Sequence, residues 1–159
     1  MKKVILSLLM CVMTLAASAQ VLKTVDVKAN LRGDLGLGAG VTIGLTNSVD
    51  FTPSLNIYFG DDFLTIDGDF HLNLPVGDSF VIYPIAGPTI AHDRWTSADP
   101  VSINKKKHSK MYLGVNLGCG GRYTVNNSLD VFAELKYQYL FGSKGWDDTF
   151  FTVGASFPL

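Results

Sequence analysis

Apolar and polar residues alternate along almost the whole chain after residue 20. Between Asp34 and Leu45 every odd position is apolar, whereas the even positions are aspartate, threonine or glycine. Successive side chains on a strand point to opposite faces, so this period of two indicates β-strands, and no segment after residue 20 has a good helical period. The pattern predicts eight strands, at about 22–32, 34–45, 50–59, 64–74, 79–90, 111–123, 129–139 and 149–159.

The connections between these strands differ in length. Short turns with the sequences TNSV, PVGD and VNNS follow the second, fourth and sixth strands, and longer connections are predicted at about 91–110 and 140–148. Short turns at one end and longer loops at the other are typical of an up-and-down barrel. Pro84 and Pro88 cannot donate to a sheet ladder, so we expect a bulge or an irregular rim in the fifth strand.

The start of the chain has the features of a signal peptide. Two lysines precede an apolar run from Val4 to Leu15, and small residues follow it, so we expect cleavage after Ala19. The run is too short to span a bilayer as a helix. We therefore predict a signal peptide over 1–19 and one domain over 20–159. Removal of the signal peptide leaves one cysteine, Cys119, and a nearly balanced charge that does not indicate nucleic acid as a partner.

Alternation does not reveal which face of each strand points inward, but three features favour a polar interior. The polar face is rich in glycine, which a crowded lumen needs and a solvated surface does not. The strands are long enough to cross a bilayer when tilted, and aromatic residues cluster near their ends, as in the interfacial girdles of transmembrane barrels. The predicted girdles are Tyr58, Phe59, Phe63, Tyr139, Phe141, Trp146, Phe150 and Phe151 at the long-loop end, and Phe51, Phe80, Tyr123 and Phe157 at the short-turn end.

Three short stretches carry a resemblance to a known class of protein. The final TVGASFPL places Thr152, Gly154, Phe157 and Leu159 at the polar, glycine, aromatic and hydrophobic positions that end outer-membrane barrels, with leucine where many end in phenylalanine. The ASAQ junction and the YPIAG strand resemble the outer-membrane β-barrel domain proteins of the Bacteroidota, and residues 21–159 resemble small barrels of the OmpX and OmpA type. The resemblance implies a monomer in a Gram-negative outer membrane, in contact with lipid and lipopolysaccharide and assembled by the barrel-assembly machinery through its C-terminal strand.

The most distinctive candidate site is the stretch LTIDGDFHLNL, in which Asp67, Asp69 and His71 share one face of a strand. Residues two apart on a strand are about 6.5–7 Å apart at Cα, and no cysteine or second histidine is near in sequence to complete a metal site. The lumen of a barrel would also receive the charged residues Lys28, Arg122, Glu134 and Lys136. Charges removed from bulk water need partners, so we interpret these residues as a structural charge network rather than as a metal or catalytic site.

The long connection at 91–110 holds the other candidates. A lipid hydrolase would need a nucleophile, a histidine and a carboxylate, and this connection contains His92, Asp93, Ser97, Ser102, His108 and Ser109. No motif fixes their spacing, so they do not indicate catalysis. The basic run INKKKHSK, at 103–110, would lie outside the membrane, either solvated or in contact with lipopolysaccharide phosphates.

We therefore predict an all-β fold, an eight-stranded antiparallel up-and-down transmembrane β-barrel preceded by a cleavable signal peptide. Its polar lumen would be largely filled by the bulky residues Tyr58, Tyr83, Tyr112 and Phe132. The predicted role is non-enzymatic, in envelope integrity or in surface interaction through the extracellular loops, with no catalytic residue, metal or cofactor. Two alternatives stay open: an outer-membrane lipid-modifying hydrolase and a secreted soluble ligand-binding barrel.

Overall fold

The computed structural model describes residues 22–60, 63–97, 106–142 and 147–159. Its strands are β1 Leu22–Arg32, β2 Asp34–Gly44, β3 Val49–Tyr58, β4 Phe63–Leu72, β5 Phe80–Ser97, β6 Lys106–Asn126, β7 Leu129–Leu140 and β8 Asp147–Pro158. A two-residue segment, Leu74–Pro75, continues β4 after a break at Asn73. The predicted signal peptide over 1–19 lies outside the described residues, so the domain boundary stays a prediction.

The eight strands form a closed antiparallel barrel. Each strand pairs with the strand before it and the strand after it, and β1 also pairs with β8. The pairing of β4 with β5 completes the ring. In the described part of the chain no helix is long and apolar enough to cross a bilayer, a finding that has no bearing on crossing by strands. The pairing confirms the predicted eight-stranded up-and-down barrel.

The apolar face of the strands points outward and the polar face points into the lumen. In β1, Val27 and Leu31 are exposed, whereas Lys28 and Asn30 are buried. The same arrangement recurs around the barrel, as at Leu135 in β7, which is 51% exposed. A soluble ligand-binding barrel would have the opposite arrangement, and apolar-out, polar-in alternation is that of transmembrane barrels.

The predicted aromatic girdles are correct only in part. Of the outward-facing members Phe51 is half-buried and the others are exposed, namely Phe59, Phe80, Tyr123, Tyr139, Phe141, Phe151 and Phe157. Tyr58, Phe63 and Phe150 were wrongly assigned to the girdle, because they occupy inward positions of their strands and are buried in the lumen. Nearness to a strand end does not by itself reveal which face a residue occupies. Trp146 lies outside the described residues.

The prolines of β5 interrupt pairing without bulging the strand. Toward β6 the ladder passes Pro84 and Pro88 unbroken. Toward β4 the pairs opposite both prolines are missing, although the register is the same on either side. The expected bulge is therefore absent, and the irregularity takes the form of missing pairs on the edge where the ring nitrogens cannot donate. Gly87 lets the two backbones approach here, since a Cβ at this position would collide with the carbonyl oxygen of Gly68.

The hairpin of β5 and β6 extends beyond the barrel rim. β5 has no β4 partner after His92, and β6 has no β7 partner before Gly114, yet the two strands stay paired out to Ser97 and Lys106. Five residues of β5 therefore project as a two-stranded ribbon that is about 17 Å long. The predicted loop over 91–110 is wrong over most of its length, because the sequence outside the apolar belt lacks the alternation by which the strands were recognised. Residues 98–105, at the tip, lie outside the described residues.

The other connections agree with their predicted lengths. Short turns separate β2 from β3 and β6 from β7, at 45–48 and 127–128. The connection between β7 and β8 covers 141–146, close to the predicted loop at about 140–148, and its residues 143–146 lie outside the described residues.

Candidate functional site in the barrel lumen

The lumen has three layers along the barrel axis. At the long-loop end an apolar cap is formed by Tyr58, Phe63, Ala91, Tyr112 and Leu140. A middle layer consists of hydrogen-bonded polar side chains, and the short-turn end contains charged groups around a small cavity. The predicted filling of the lumen by bulky residues is confirmed, because none of them is more than 8% exposed: Tyr58, Tyr83, Tyr112 and Phe132.

A buried cluster of ion pairs lies between the hydrogen-bonded layer and the cavity. Lys136 Nζ donates to Asp69 Oδ2 at 2.9 Å and lies 3.6 Å from Glu134 Oε2. Asn116 Nδ2 donates to the second oxygen of Asp69 at 3.0 Å, and the Tyr83 hydroxyl donates to Glu134 at 3.1 Å. The side chain of Lys136 is completely buried, so two carboxylates balance a charge that solvent cannot reach.

A glycine on the neighbouring strand makes room for this cluster. Gly118 in β6 lies opposite Lys136 in β7. A Cβ at Gly118 would lie 3.0 Å from the Lys136 side chain and would collide with the Leu135 carbonyl oxygen. The glycine-rich inner face, which indicated a crowded lumen in the sequence, thus allows a long charged side chain to cross the barrel.

Asp67 has neutral partners, in contrast to Asp69. Asn56 Nδ2 donates to one of its oxygens at 2.8 Å, and Thr89 Oγ1 donates to the other at 2.6 Å. Among the described residues no lysine, arginine or histidine lies within ion-pair distance of Asp67. The predicted charge network therefore includes Asp69, whereas Asp67 belongs to a network of amides and hydroxyls.

The amide and hydroxyl network continues upward to the cap. Asn30 Nδ2 donates to Asn56 Oδ1 at 3.0 Å, and Thr152 Oγ1 donates to Asn30 Oδ1 at 2.7 Å. At the rim, the Arg32 guanidinium lies 4.5 Å from the Phe63 ring centroid and pairs with Asp148 at 2.9 Å. Buried polar groups with satisfied hydrogen bonds make a rigid filling rather than an open channel.

At the short-turn end, His71 stacks on Tyr83 with ring centroids 4.7 Å apart and 17° between the planes. The Arg122 guanidinium lies over the same tyrosine at 5.5 Å, and Lys28 Nζ donates to Ser54 Oγ at 2.8 Å. His71, Arg122 and Lys28 line a cavity of about 10 Å³. The full lining is Asp26, Lys28, Thr52, Asp69, His71, Arg122, Phe132, Glu134 and Ser156.

Apart from Asp67, the structure brings together the charged lumen residues that the sequence singled out. Asp69, His71, Arg122, Glu134 and Lys136 come from three strands, and Lys28 adds a fourth strand. Sequence reasoning missed Ser156 and Asp26 as members of the cavity wall and missed the apolar cap. The alternation in the sequence predicted that these side chains point into the lumen. It did not show how far along the barrel axis each of them lies.

The lumen does not present a metal site in the described residues. No group of three or more histidine, cysteine, aspartate or glutamate side chains there is placed to hold a metal ion. The residues of LTIDGDFHLNL have separate surroundings instead: Asp67 binds neutral donors, Asp69 pairs with Lys136, and His71 stacks on Tyr83.

Two residues of the candidate hydrolase site, His92 and Asp93, do not share one face. His92 and Asp93 are neighbours in β5 and therefore point to opposite sides of the strand. Asp93 is buried, whereas His92 is only half-buried. The remaining candidates lie farther out in the ribbon or, for one serine, outside the described residues: Ser97, Ser102, His108 and Ser109.

Comparisons with known proteins bear on the fold. No protein-family model matches the sequence, and no curated protein matches it. The N-terminal β-barrel domain of Pseudomonas aeruginosa OprF is similar with a TM-score of 0.70 at 18% identity, over 87% of this chain and 97% of that chain. A major outer membrane protein from Thermus thermophilus gives 0.69 at 14% identity, over 86% of this chain and 99% of that one.

A third similar structure is Ail, the attachment invasion locus protein of Yersinia pestis, in complex with the heparin analogue sucrose octasulfate. It gives a TM-score of 0.57 at 12% identity, over 87% of this chain and 96% of that chain. The particular resemblance to proteins of the Bacteroidota stays a prediction. From its closed barrel, its outward apolar face and these similarities, the chain has the fold of the small outer-membrane β-barrels.

Proposed function

We propose that this protein is a non-enzymatic β-barrel of a Gram-negative outer membrane that acts in surface interaction through its ribbon and loops at the long-loop end. The observation that carries the proposal is the contrast between the lumen and the rim. The lumen is filled by a buried network below an apolar cap, whereas the ribbon of β5 and β6 projects about 17 Å beyond the barrel.

The outer face supports the membrane location. Its exposed apolar residues form a belt around the barrel, from Val27 in β1 to Leu113 in β6 and Val153 in β8. A contiguous apolar surface of this kind requires lipid or another apolar partner. Phe157 and Leu159 at the C-terminus are also exposed, as recognition of this strand by the barrel-assembly machinery would require.

The charge of the ribbon supports an anionic partner at the surface. Residues 93–110 contain five basic and two acidic residues, whereas the whole chain has a net charge of −1. Lys110 is exposed at the base of the ribbon. The Ail structure contains a sulfated heparin analogue, which is a precedent for anion binding on this fold. We propose the phosphates of lipopolysaccharide as the partner of this chain.

Cell fractionation tests the location. The mature protein is expected in the outer-membrane fraction, with a band that migrates differently on gels before and after heating. Protease added to intact cells should cut within residues 98–105. A fully soluble mature protein would contradict the proposal and would favour the secreted ligand-binding barrel.

A charge-removal variant tests the partner. Replacing Lys105, Lys106 and Lys107 with glutamine removes three charges that are each worth about 1 kcal/mol near an anionic surface. Binding to lipopolysaccharide at low salt should therefore weaken by about 100-fold. The matched control replaces the same lysines with arginine and should bind normally. Equal binding by the two variants would contradict the proposal.

A separate test addresses the lipid-modifying hydrolase. Cells that carry His92→Ala and His108→Ala variants should have the same lipid A profile as cells with the unchanged protein. A profile that changes with either variant would favour the enzyme.

A further inference from the structure

We propose that the cavity at the short-turn end of the lumen is a binding site for one ordered water molecule, held by His71, Arg122 and Ser156. This site adds a bound ligand to the lumen, and it does not depend on the surface partner proposed above.

Three buried polar atoms of residues that line this cavity have no hydrogen-bond partner among the described residues. They are His71 Nδ1, Arg122 Nε and Ser156 Oγ. His71 is 2% exposed and Ser156 is completely buried, and all three residues line the same cavity. Buried polar atoms in proteins are almost always paired with protein or ordered water, so three orphaned atoms around one cavity indicate a bound molecule.

The size of the cavity limits what this molecule is. Its volume is about 10 Å³, and a site of roughly this volume holds one water molecule. The wall comes from six strands, and the three polar residues that face it without a partner lie on β4, β6 and β8, each of which pairs continuously with β3, β5 and β7 respectively. The barrel therefore has no room here for a sugar, a lipid head group or another organic ligand.

The hydrogen-bonding chemistry of the wall fits water better than an ion. Arg122 Nε can only donate, Ser156 Oγ can donate or accept, and a neutral imidazole nitrogen does one or the other according to its tautomer. Water accepts from Arg122 and donates to an acceptor at the same time, which a simple cation or anion cannot do.

The charge of the wall also favours water over an ion. Its carboxylates are Asp26, Asp69 and Glu134, its cationic side chains are Lys28 and Arg122, and it also contains the imidazole of His71. Lys136, behind the wall, pairs with two of these carboxylates. With His71 neutral, three carboxylates and three cationic side chains surround the cavity, and no excess charge favours a cation or an anion over a neutral ligand.

A bound water would also explain how His71 is held. Its ring is stacked on Tyr83, but stacking does not determine the ring's rotation about its own plane or its tautomer. A hydrogen bond from water to Nδ1 would fix both. His71 would then be a positioning element of the water site as well as part of the lumen filling.

Nuclear magnetic resonance of the refolded full barrel in detergent micelles, with labelled histidine, tests the site. A long-lived water should give a cross peak to the Hε1 proton of His71. Ser156→Val replaces the hydroxyl with methyl groups that occupy the cavity, and this variant should lose the cross peak. The matched control is Thr152→Val, a buried hydroxyl on the same strand that does not line the cavity, and it should keep the cross peak.

The absence of the cross peak in the unchanged protein, or its persistence in Ser156→Val, would overturn the proposal. A crystal structure of the unchanged protein provides a test that does not depend on a variant that folds. Density for one water bonded to His71 Nδ1, Arg122 Nε and Ser156 Oγ would support the site. An empty cavity, or anomalous scattering from rubidium or bromide within it, would overturn it.

Discussion

Removal of the Asp69 carboxylate should destabilise the barrel by leaving a buried ammonium without its nearest partner. The side chain of Lys136 is completely buried and that of Asp69 is 2% exposed, and their charged atoms are 2.9 Å apart. In Asp69→Ala, Lys136 keeps Glu134 at 3.6 Å but loses the shorter contact. Asn116 also loses the acceptor of its amide.

The expected magnitude follows from these distances. At an effective dielectric constant of about 20, unit charges at these separations attract by about 5–6 kcal/mol. Breaking one contact of a buried pair costs about 3–5 kcal/mol, and because Glu134 remains, we expect a loss of about 3 kcal/mol for Asp69→Ala. Asp67→Ala breaks two hydrogen bonds from neutral donors and should cost about 2 kcal/mol.

A double-mutant cycle with Lys136→Met separates the two aspartates. The coupling energy between Asp69 and Lys136 should be about 2 kcal/mol, and that between Asp67 and Lys136 should be smaller, because Asp67 acts on the ammonium only at longer range and without a hydrogen bond. Unfolding in urea can be followed in lipid vesicles by the difference in gel migration between folded and unfolded barrel. Equal coupling energies for the two aspartates, or an unchanged unfolding midpoint in Asp69→Ala, would refute the assignment of the ion pair.

The other expectations concern packing, the membrane belt and the filled lumen. Gly87→Ala should lower the free energy of unfolding by about 2–3 kcal/mol, because the added Cβ would collide with the β4 backbone. In Gly68→Ala the added Cβ would lie 3.3 Å from the Phe51 ring, so the loss in the same urea assay should be less than about 1 kcal/mol. Leu135→Arg, in the middle of β7, should lower the stability of the barrel in vesicles by about 2–4 kcal/mol. Phe141→Arg, just beyond the end of that strand, should lower it by about 1 kcal/mol or less. Equal losses of stability would refute the placement of the belt. The purified barrel should show no porin-sized conductance in planar bilayers, and a large steady conductance would contradict the filled lumen.

The local pattern was sufficient for the strand count and for the two faces of most strands. β1 begins and ends where alternation predicted, and Lys28 and Lys136 point into the lumen as their parity required. Predictions from the pattern failed at positions where apolar and polar residues no longer alternate. It placed Phe63 and Phe150 in a lipid-facing girdle, although both are buried on the inward face of a strand end.

The ribbon shows a second kind of failure. Residues 93–97 and 106–110 form paired strands beyond the apolar belt, where no contrast between lipid and lumen imposes alternation on the sequence. Periodicity detects a strand only when its two faces meet different surroundings. The same reasoning explains why the prolines suggested a bulge: the sequence shows a missing donor, but not which neighbouring strand it faces.

The sequence by itself determined that this chain forms a barrel of eight strands with a glycine-rich, polar inner face, because alternation and strand length are local properties. Only the tertiary structure decided which inner residues meet. Asp67 and Asp69 are equivalent in the sequence, yet one accepts hydrogen bonds from Asn56 and Thr89 and the other pairs with Lys136. The register between strands sets the height of each residue in the lumen, and that register arises from closure of the whole barrel, which no single segment encodes.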